Sequence, residues 1–395
     1  MKQNNNASLF ADINDVPCQY PWLCYDETCD VLVIGGGVTG ALCMYHLTDM
    51  GLDAVLVSQK PIGFSSACTN TSILQYQNET MLIDLSESVG KDEAIGYFKS
   101  CEQALNEIEE MSQKLENFYF KRRDSFIYTN STSRINHLHA EYLIRRHNGF
   151  DVEFLEKADA RNLFSFAIEA GILAKQQAGE VDGYIMTHVL VSASEEKGGR
   201  IYENTCVTEI ENNNDGIIVT TAYGRKIHTK KVILATGKNQ ESYISQNISI
   251  KTSFSLVTKP VEHFSGYTSQ AIVNNIDNNV YLRTTHDNRI VIGGLDCSLF
   301  DKDGKIGKVI GVDRIVDRKF KELESTLNHM LVGIDTIEVE HEYTSEYGKT
   351  NDGMPYFGEV VEFPNIVFAM PSSINGILQS QIIAKKITKN IAEEF

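Results

Sequence analysis

Residues 30–58 read Asp-Val-Leu-Val-Ile-Gly-Gly-Gly-Val-Thr-Gly-Ala-Leu-Cys-Met-Tyr-His-Leu-Thr-Asp-Met-Gly-Leu-Asp-Ala-Val-Leu-Val-Ser, and this stretch decides the fold. An apolar strand, Val31 to Ile34, runs into Gly35-x-Gly37-x-x-Gly40. A helix-period segment follows to Met50, and a second apolar strand ends at Val57. This is the order of a dinucleotide-binding βαβ unit. Gly35 permits a tight turn, Gly37 lets the backbone approach a pyrophosphate, and Gly40 lets the helix pack closely on the strand. The motif carries weight here because a strand precedes it, a helix follows and a second strand closes the unit. One position departs from the pattern. The end of the second strand ordinarily carries an acid that holds the adenosine ribose, and here stand Ser58 and Gln59. Both can still hydrogen-bond a ribose, but without the charge that makes such bonds about twice as strong.

The surrounding composition bounds the protein class. A chain of 395 residues exceeds one ordinary core, so two intimately packed domains are expected. Hydrophobic and charged contents of 42% and 23% are those of a globular chain. The formal net charge of −17 argues against a nucleic-acid or anionic-membrane partner. No apolar run approaches the roughly 20 residues that span a bilayer. Met1 to Asp15 is Asn-rich and lacks the apolar segment of a secretory signal, so cytoplasm is the expected location. Eight cysteines are scattered along the chain. Cys18, Cys24 and Cys29 cluster, but without CxxC spacing or a neighbouring histidine, so no metal site is expected.

Farther along, Lys91 to Glu116 places apolar residues at steps of three and four, an amphipathic helix facing a core. Strand-like runs stand at Phe118–Tyr128 and Val152–Leu155. Val181 to Lys197 reads as a turn and helix closed by Gly198-Gly199. Short strands follow at Arg200–Tyr202, Cys206–Ile210, Ile217–Ala222, Lys226–Thr229 and Lys231–Leu234. A β-rich stretch covers Phe254 to Leu295, a polar helix Val309 to Leu331, a strand Ile366–Met370, and a last helix opens at Asn375-Gly376. No linker divides the chain, so the domains are expected to interleave.

Several of these pieces occur together in a known order. They are the N-terminal GxGxxG, Gly63-Phe-Ser-Ser running to Ile73-Leu-Gln-Tyr76, Val181-Asp-Gly-Tyr184, Val232-Ile-Leu-Ala-Thr-Gly237, and Asp352-Gly-Met-Pro-Tyr-Phe-Gly358 with Asn375-Gly-Ile377. In this the chain resembles the D-amino-acid-oxidase-type FAD oxidoreductases, the group holding glycine, sarcosine and γ-glutamylputrescine oxidases. Tyr281-Leu-Arg-Thr-Thr285 with Ile290-Val-Ile-Gly-Gly294 is similar to that family's strand pair near the flavin. The resemblance implies an α/β, mixed α+β fold in which a Rossmann-like FAD-binding domain interleaves with a β-rich substrate domain. The expected partition is 26–85, 160–245 and 345–395 for FAD, 86–159 and 246–344 for substrate, and an N-terminal arm at 1–25.

Residue by residue, the resemblance implies pyrophosphate contacts at Gly35, Gly37 and Gly40. Ser65, Ser66 and Thr69 would line the phosphates and ribityl chain, and Val207 the adenine. Thr236 and Gly237 would pass close to the FAD, while Asn375, Gly376 and Ile377 would present a helix N-terminus to the flavin pyrimidine edge. A helix dipole there would stabilise the negative charge that hydride transfer creates. Three departures limit the inference. A glycine-rich segment common in relatives reads Pro371-Ser-Ser-Ile-Asn-Gly here. Tyr347 stands where amino-acid oxidases of the family place a carboxylate-clamping arginine, which leaves Arg283 as the alternative clamp. No C-terminal cysteine matches a covalent flavin tether, so non-covalent FAD is expected. The substrate residues implied are Arg283 and Tyr347, with His263, His286 and Tyr281 as weaker candidates.

The expected reaction is hydride transfer from the carbon next to a neutral amine nitrogen of a small amine or amino acid to flavin N5, giving an imine. Oxygen or another molecule would accept the electrons. Oxidation of a hydroxy acid or polyol, or a non-catalytic FAD-binding subunit that depends on a partner, are the alternatives. An NAD-dependent dehydrogenase would share only the first motif.

Overall fold

The computed structural model describes residues 13–64, 66–69, 71–76, 80–213, 216–237, 248–267, 270–299, 312–331, 337–373 and 376–395. The opening unit is β1 (Glu27–Ile34), α1 (Val38–Asp49) and β2 (Ala54–Val57). A one-turn helix α2 (Ser66–Thr69), β3 (Ile73–Gln75) and α3 (Leu82–Val89) lead into the long α4 (Lys91–Lys114). Then come β4 (Lys121–Thr129), α5 (Ile135–His147), β5 (Glu153–Glu156), α6 (Lys157–Ala160), β6 (Ala170–Glu180) and α7 (Gly183–Glu196). The chain continues through β7 (Arg200–Tyr202), β8 (Val207–Asn213), β9 (Gly216–Thr221) and β10 (Lys226–Leu234). β11 (Ile248–Thr258), β12 (Ile272–Asn275), β13 (Val280–Thr284) and β14 (Ile290–Cys297) follow, before α8 (Val312–Met330). The end is β15 (Val339–Thr350), β16 (Tyr356–Val360), β17 (Phe363–Met370) and α9 (Gly376–Glu394).

Two sheets organise these elements. In the first, the order is β16-β17-β10-β1-β2-β7. β17, β10, β1, β2 and β7 run parallel, and β16 closes one edge antiparallel. Where these strands are buried on both faces, at Val31–Ile34, Ala54–Val57, Val232–Leu234 and Ile366–Met370, they read as unbroken apolar runs, as a parallel sheet between helices requires. The expectation of two strands at Lys226–Thr229 and Lys231–Leu234 is corrected to one. The first half of β10 pairs with β9 and the second half with β17. Lys231 continues the strand although buried, because its Nζ reaches Glu359 at 2.5 Å and Glu394 at 2.7 Å.

The second sheet has the order β15-β11-β14-β13-β12-β4-β6-β3, with β5 beside β6. It draws strands from segments on both sides of the expected partition. β3 and β6 fall within the 26–85 and 160–245 segments, yet pair in this sheet. β15 also crosses the expected boundary at 344/345, because its ladder with β11 runs without a register shift from His341 to Thr350. Conversely α4, expected with the substrate segments, contributes Phe98, Leu105 and Ile108 to the same core as α1, α7 and α9.

One face of the second sheet packs on α8 through Phe254, Leu256, Leu282, Ile292 and Leu323. The opposite face meets the first domain, where Tyr281, Val291 and Tyr343 pack with Cys68 and Tyr184. Among the described residues, no helix is long and apolar enough to cross a membrane.

Candidate functional site

A cavity of about 690 Å³ lies between the two sheets. Its floor is the row of C-terminal strand ends of β2, β1, β10 and β17, which carry Ser58-Gln59-Lys60, Gly35-Gly36-Gly37, Ala235-Thr236-Gly237 and Pro371. Its opposite wall is residues 343–348 of β15. In open α/β sheets ligands bind beyond the carboxyl ends of the strands, where the connections leave in opposite directions.

The glycine turn is shaped by contacts that exclude side chains. Gly35 has φ +128°, and a Cβ there would lie 2.4 Å from the Ala235 carbonyl oxygen. A Cβ on Gly36 would lie 2.6 Å from Ser58 Oγ, and one on Gly40 only 1.9 Å from the Gly35 carbonyl oxygen. The backbone therefore forms the cavity wall itself. Gly37 caps α1 with no side-chain hydrogen bond, and the first turn carries no acid. Its N–H groups are left for an anion, with the helix dipole behind them.

A second helix reaches the same cavity. Gly376 and Ile377 open α9 and line it. Thr39 Oγ1 and Ser380 Oγ lie 2.8 Å apart and join α1 to α9, and His46 Nε2, about two turns farther along α1, lies 3.0 Å from Gln381 Oε1. Two helix N-termini thus face one elongated space, one at the middle of the strand row and one at its β17 end. This arrangement fits a dinucleotide whose pyrophosphate lies at Gly35–Thr39 and whose far ring system reaches Gly376.

Of the residues expected at the cofactor, Gly35, Gly37, Ser58, Gln59, Thr69, Val207, Thr236, Gly237, Gly376 and Ile377 line this cavity. Gly40 does not line it; its packing on Gly35 sets the turn. Ser66 opens α2. Ser65 and Asn375 lie outside the described residues. Lys60, Thr205 and Cys206 join Ser58 at the β2 end of the cavity, and Ser58 is fixed there by its N–H to the Tyr202 carbonyl at 2.9 Å and by its own carbonyl accepting from Thr205 N at 2.7 Å.

The two substrate candidates fall apart. Tyr347 lines the cavity, and its hydroxyl donates to Asp296 Oδ2 at 2.7 Å. Arg283 is 1% exposed, does not line the cavity, and donates through Nη1 to the carbonyls of Ser72 at 2.9 Å and Val181 at 3.4 Å. The ladder runs Arg283–Val291–Val257–His341, six residues along β15 from Tyr347. At about 3.3 Å per residue that register offset is roughly 20 Å along the strand. Arg283 instead ties the second sheet to the turns beneath the first domain. His286 is exposed and stacks on Tyr119 at 3.8 Å, His263 is exposed, and Tyr281 is buried with its hydroxyl 2.9 Å from Ser255 Oγ. Tyr343 and Ser345, by contrast, line the cavity unanticipated, because β15 carries no alternating apolar signal. Among the described residues no group of three or more His, Cys, Asp and Glu is placed to hold a metal ion.

A family model described as FAD dependent oxidoreductase matches residues 30–390. The chain belongs to that family. It is therefore an FAD-dependent oxidoreductase, and the cavity is where its residues would hold the cofactor. The chain is 23% identical over 393 residues to γ-glutamylputrescine oxidoreductase of Escherichia coli, covering 93% of this chain and 85% of that protein. It is also 23% identical over 207 residues to a putative Rieske 2Fe-2S iron-sulfur protein of Bacillus subtilis, of whose length the match spans 40%. In fold it is similar to glycine oxidase from Geobacillus kaustophilus, with a TM-score of 0.77, 18% identity, and 93% of this chain and 95% of that one covered.

Two expected outcomes arise at the β2 end of the cavity. Ser58→Asp in the FAD-dependent oxidoreductase restores a carboxylate beside the ribose and is expected to tighten FAD binding about tenfold, since a charge-assisted bond adds on the order of 1 kcal/mol. Quenching of FAD fluorescence on titration measures it, and unchanged affinity would show that the ribose does not lie at Ser58. The second concerns His188, buried under the Gly63 turn beside Tyr184, with ring centroids 4.7 Å apart. Burial pushes its imidazole down from 6.5 to about 4. The unfolded chain then binds the proton more readily, so stability is lost as pH falls from about 6.5 towards about 4, by up to about 3 kcal/mol. His188→Phe should flatten that limb of a denaturation profile. An unaltered slope between those pH values would contradict it.

Proposed function

We propose that this chain oxidises the C–N bond of a small amine or amino acid, with non-covalently held FAD as the acceptor of the electrons. The observation that carries the reading is the pairing of the glycine turn with the α9 N-terminus across one cavity, whose wall is the hydroxyl-rich inner face of β15. γ-Glutamylputrescine oxidoreductase and glycine oxidase, the similar proteins, have names that place them in amine and amino-acid chemistry. When bound, FAD supplies a two-electron acceptor for the hydride on the carbon beside a neutral amine nitrogen, leaving an imine that water hydrolyses.

The chain's own residues do the rest. Gly35 to Thr39 would seat the pyrophosphate, Ser58 and Gln59 the ribose, and Val207 the adenine. The α9 N-terminus at Gly376 and Ile377 would stabilise negative charge at the ring edge without reorganising, since its dipole is fixed before the reaction begins. Tyr343, Ser345 and Tyr347 would orient the substrate and exclude bulk water from it.

The test is the absorption spectrum of the purified protein before and after acid precipitation, followed by anaerobic titration. Flavin bands that pass to the supernatant and bleach with amines or amino acids support the reading. Bleaching by hydroxy acids or polyols alone overturns it in favour of C–O oxidation.

A further inference from the structure

The chain enters α9 through Pro371-Ser372-Ser373-Ile374-Asn375, and Pro371, Ser373, Gly376 and Ile377 line the cavity. A side chain outside that lining fixes where this entry lies. Gln379 belongs to the first turn of α9 and is 1% exposed. Its Oε1 accepts from Ser372 N at 2.5 Å, and its Nε2 donates to the Tyr97 hydroxyl of α4 at 2.7 Å. Chemistry fixes the orientation of the amide. A backbone N–H can only donate, so the oxygen must face Ser372 and the NH2 group must face Tyr97.

Ser372 carries the bonds onward. Its Oγ accepts from Thr350 N at 2.8 Å and lies 2.6 Å from Thr350 Oγ1, which donates to the Met354 carbonyl at 2.7 Å. Thr350, Ser372, Gln379 and Tyr97 are all buried. One connected set of bonds therefore joins the end of β15 in the second sheet, the exit of β17 in the first, the first turn of α9, and α4. Buried networks of this kind hold their members as a unit.

The arrangement is not a capping box, in which a Glu or Gln reaches back to the N-cap of its own helix. Gln379 reaches past the helix start to Ser372, so the turn between them is bracketed at both ends. Ser380, the next residue, is tied to Thr39 of α1. The start of α9 is thus located from two sides. The field of a helix terminus falls off within one turn, so a small displacement of Gly376 and Ile377 changes how well charge beside them is stabilised.

We propose that Gln379 is a positioning residue for the redox reaction: by holding Ser372 it sets where the α9 N-terminus meets the flavin edge, and so raises the reduction potential of bound FAD. The inference rests on the reading that puts the flavin at Gly376 and Ile377, and not on which substrate is oxidised.

The two-electron midpoint potential of FAD-loaded protein is measured by reductive titration against a reference dye, with no amine present. Gln379→Met, similar in length, removes both bonds. It is expected to weaken binding of reduced relative to oxidised FAD about tenfold, a fall in potential of about 30 mV. Tyr97→Phe, which frees the amide NH2 but leaves the bond to Ser372, should lower the potential by less. Arg145→Met, away from the cavity, should leave it unchanged and so separates lost stability from lost position. Ser373→Asp sets a carboxylate on the cavity wall beside α9 and lowers the potential if the flavin lies there. An unchanged potential in Gln379→Met with a lowered one in Ser373→Asp overturns the positioning role and leaves the flavin placement standing. Unchanged potentials in both overturn both, and an equal fall in Arg145→Met overturns the proposal. Should Gln379→Met not take up FAD, Tyr97→Phe decides, and an unchanged or raised potential there overturns the proposal. Whether an amine bleaches the flavin enters none of these readings, so failure of C–N oxidation is scored apart.

Discussion

Replacing Gly40 with alanine is expected to lower FAD affinity by more than about a hundredfold, which corresponds to roughly 2.7 kcal/mol. The added Cβ would lie 1.9 Å from the Gly35 carbonyl oxygen, a separation that forces backbone to move. Gly35 cannot yield. Its N–H is bonded to the Val57 carbonyl at 2.9 Å, and its own α-carbon is pressed against Ala235 so closely that a Cβ would come within 2.4 Å of that carbonyl. The strain therefore passes to α1, whose first turn must lift from the strand row and carry its N–H groups off the position a phosphate would take. Overpacking of this kind costs about 1–3 kcal/mol in stability as well. The control is Gly96→Ala on an exposed part of α4, where a Cβ meets nothing within 4 Å. There the expected change is a gain of up to about 1 kcal/mol from helix propensity, with FAD affinity unchanged. FAD titration and thermal denaturation of both variants measure the difference. Undiminished affinity in Gly40→Ala would mean that the helix N-terminus does not hold the phosphates.

The contrast between these glycines also shows what the sequence can disclose. The Gly35–Gly40 turn is legible because its constraint is local: a strand, a turn and a helix within a short span permit only small residues at fixed offsets. Thr236, Gly237, Gly376 and Ile377 were legible through resemblance, and they do line the cavity. The second sheet was harder to read for a physical reason. β15, Val-Glu-His-Glu-Tyr-Thr-Ser-Glu-Tyr-Gly-Lys-Thr, is an edge strand with most of its side chains half-buried, so it shows no period-2 apolar pattern. β6 carries Ala-Gly-Ile-Leu-Ala-Lys-Gln-Gln-Ala-Gly-Glu, too small and polar at its centre to announce a strand, and is held by β4 and β5 instead. Without those two strands the register of the sheet stays hidden. The separation of Arg283 from Tyr347, and the nearness of Asp296 to Tyr347, are facts of register alone. Hence most residues expected at the cofactor share one cavity, whereas of the two expected at the substrate only Tyr347 lines it.

Arg145→Met is expected to destabilise the protein by about 3–5 kcal/mol, the range for removing one partner of a buried ion pair. Arg145 and Glu141 are one turn apart on α5, both with fully buried side chains, and Arg145 Nε donates to Glu141 Oε1 at 2.5 Å. The carboxylate also holds the start of α3, accepting from Leu82 N at 2.9 Å and Ile83 N at 2.8 Å. Arg145 in turn lies 5.5 Å over the Phe98 ring, within the cluster of Phe98, Tyr76 and Phe150. Without the guanidinium, Glu141 remains buried by its two backbone bonds, with a charge that those N–H groups alone do not balance. The double variant Glu141→Gln, Arg145→Met removes that charge and is expected to be less destabilised than Arg145→Met, although Gln has one acceptor oxygen where the carboxylate has two. None of these side chains lines the cavity, so FAD affinity of the folded variants should hold. Urea denaturation of the two single variants and the double gives the coupling free energy. Simple additivity would show that Arg145 stabilises through its packing on Phe98 rather than its charge; a double variant recovering part of the loss would assign the effect to the unbalanced carboxylate that anchors α3.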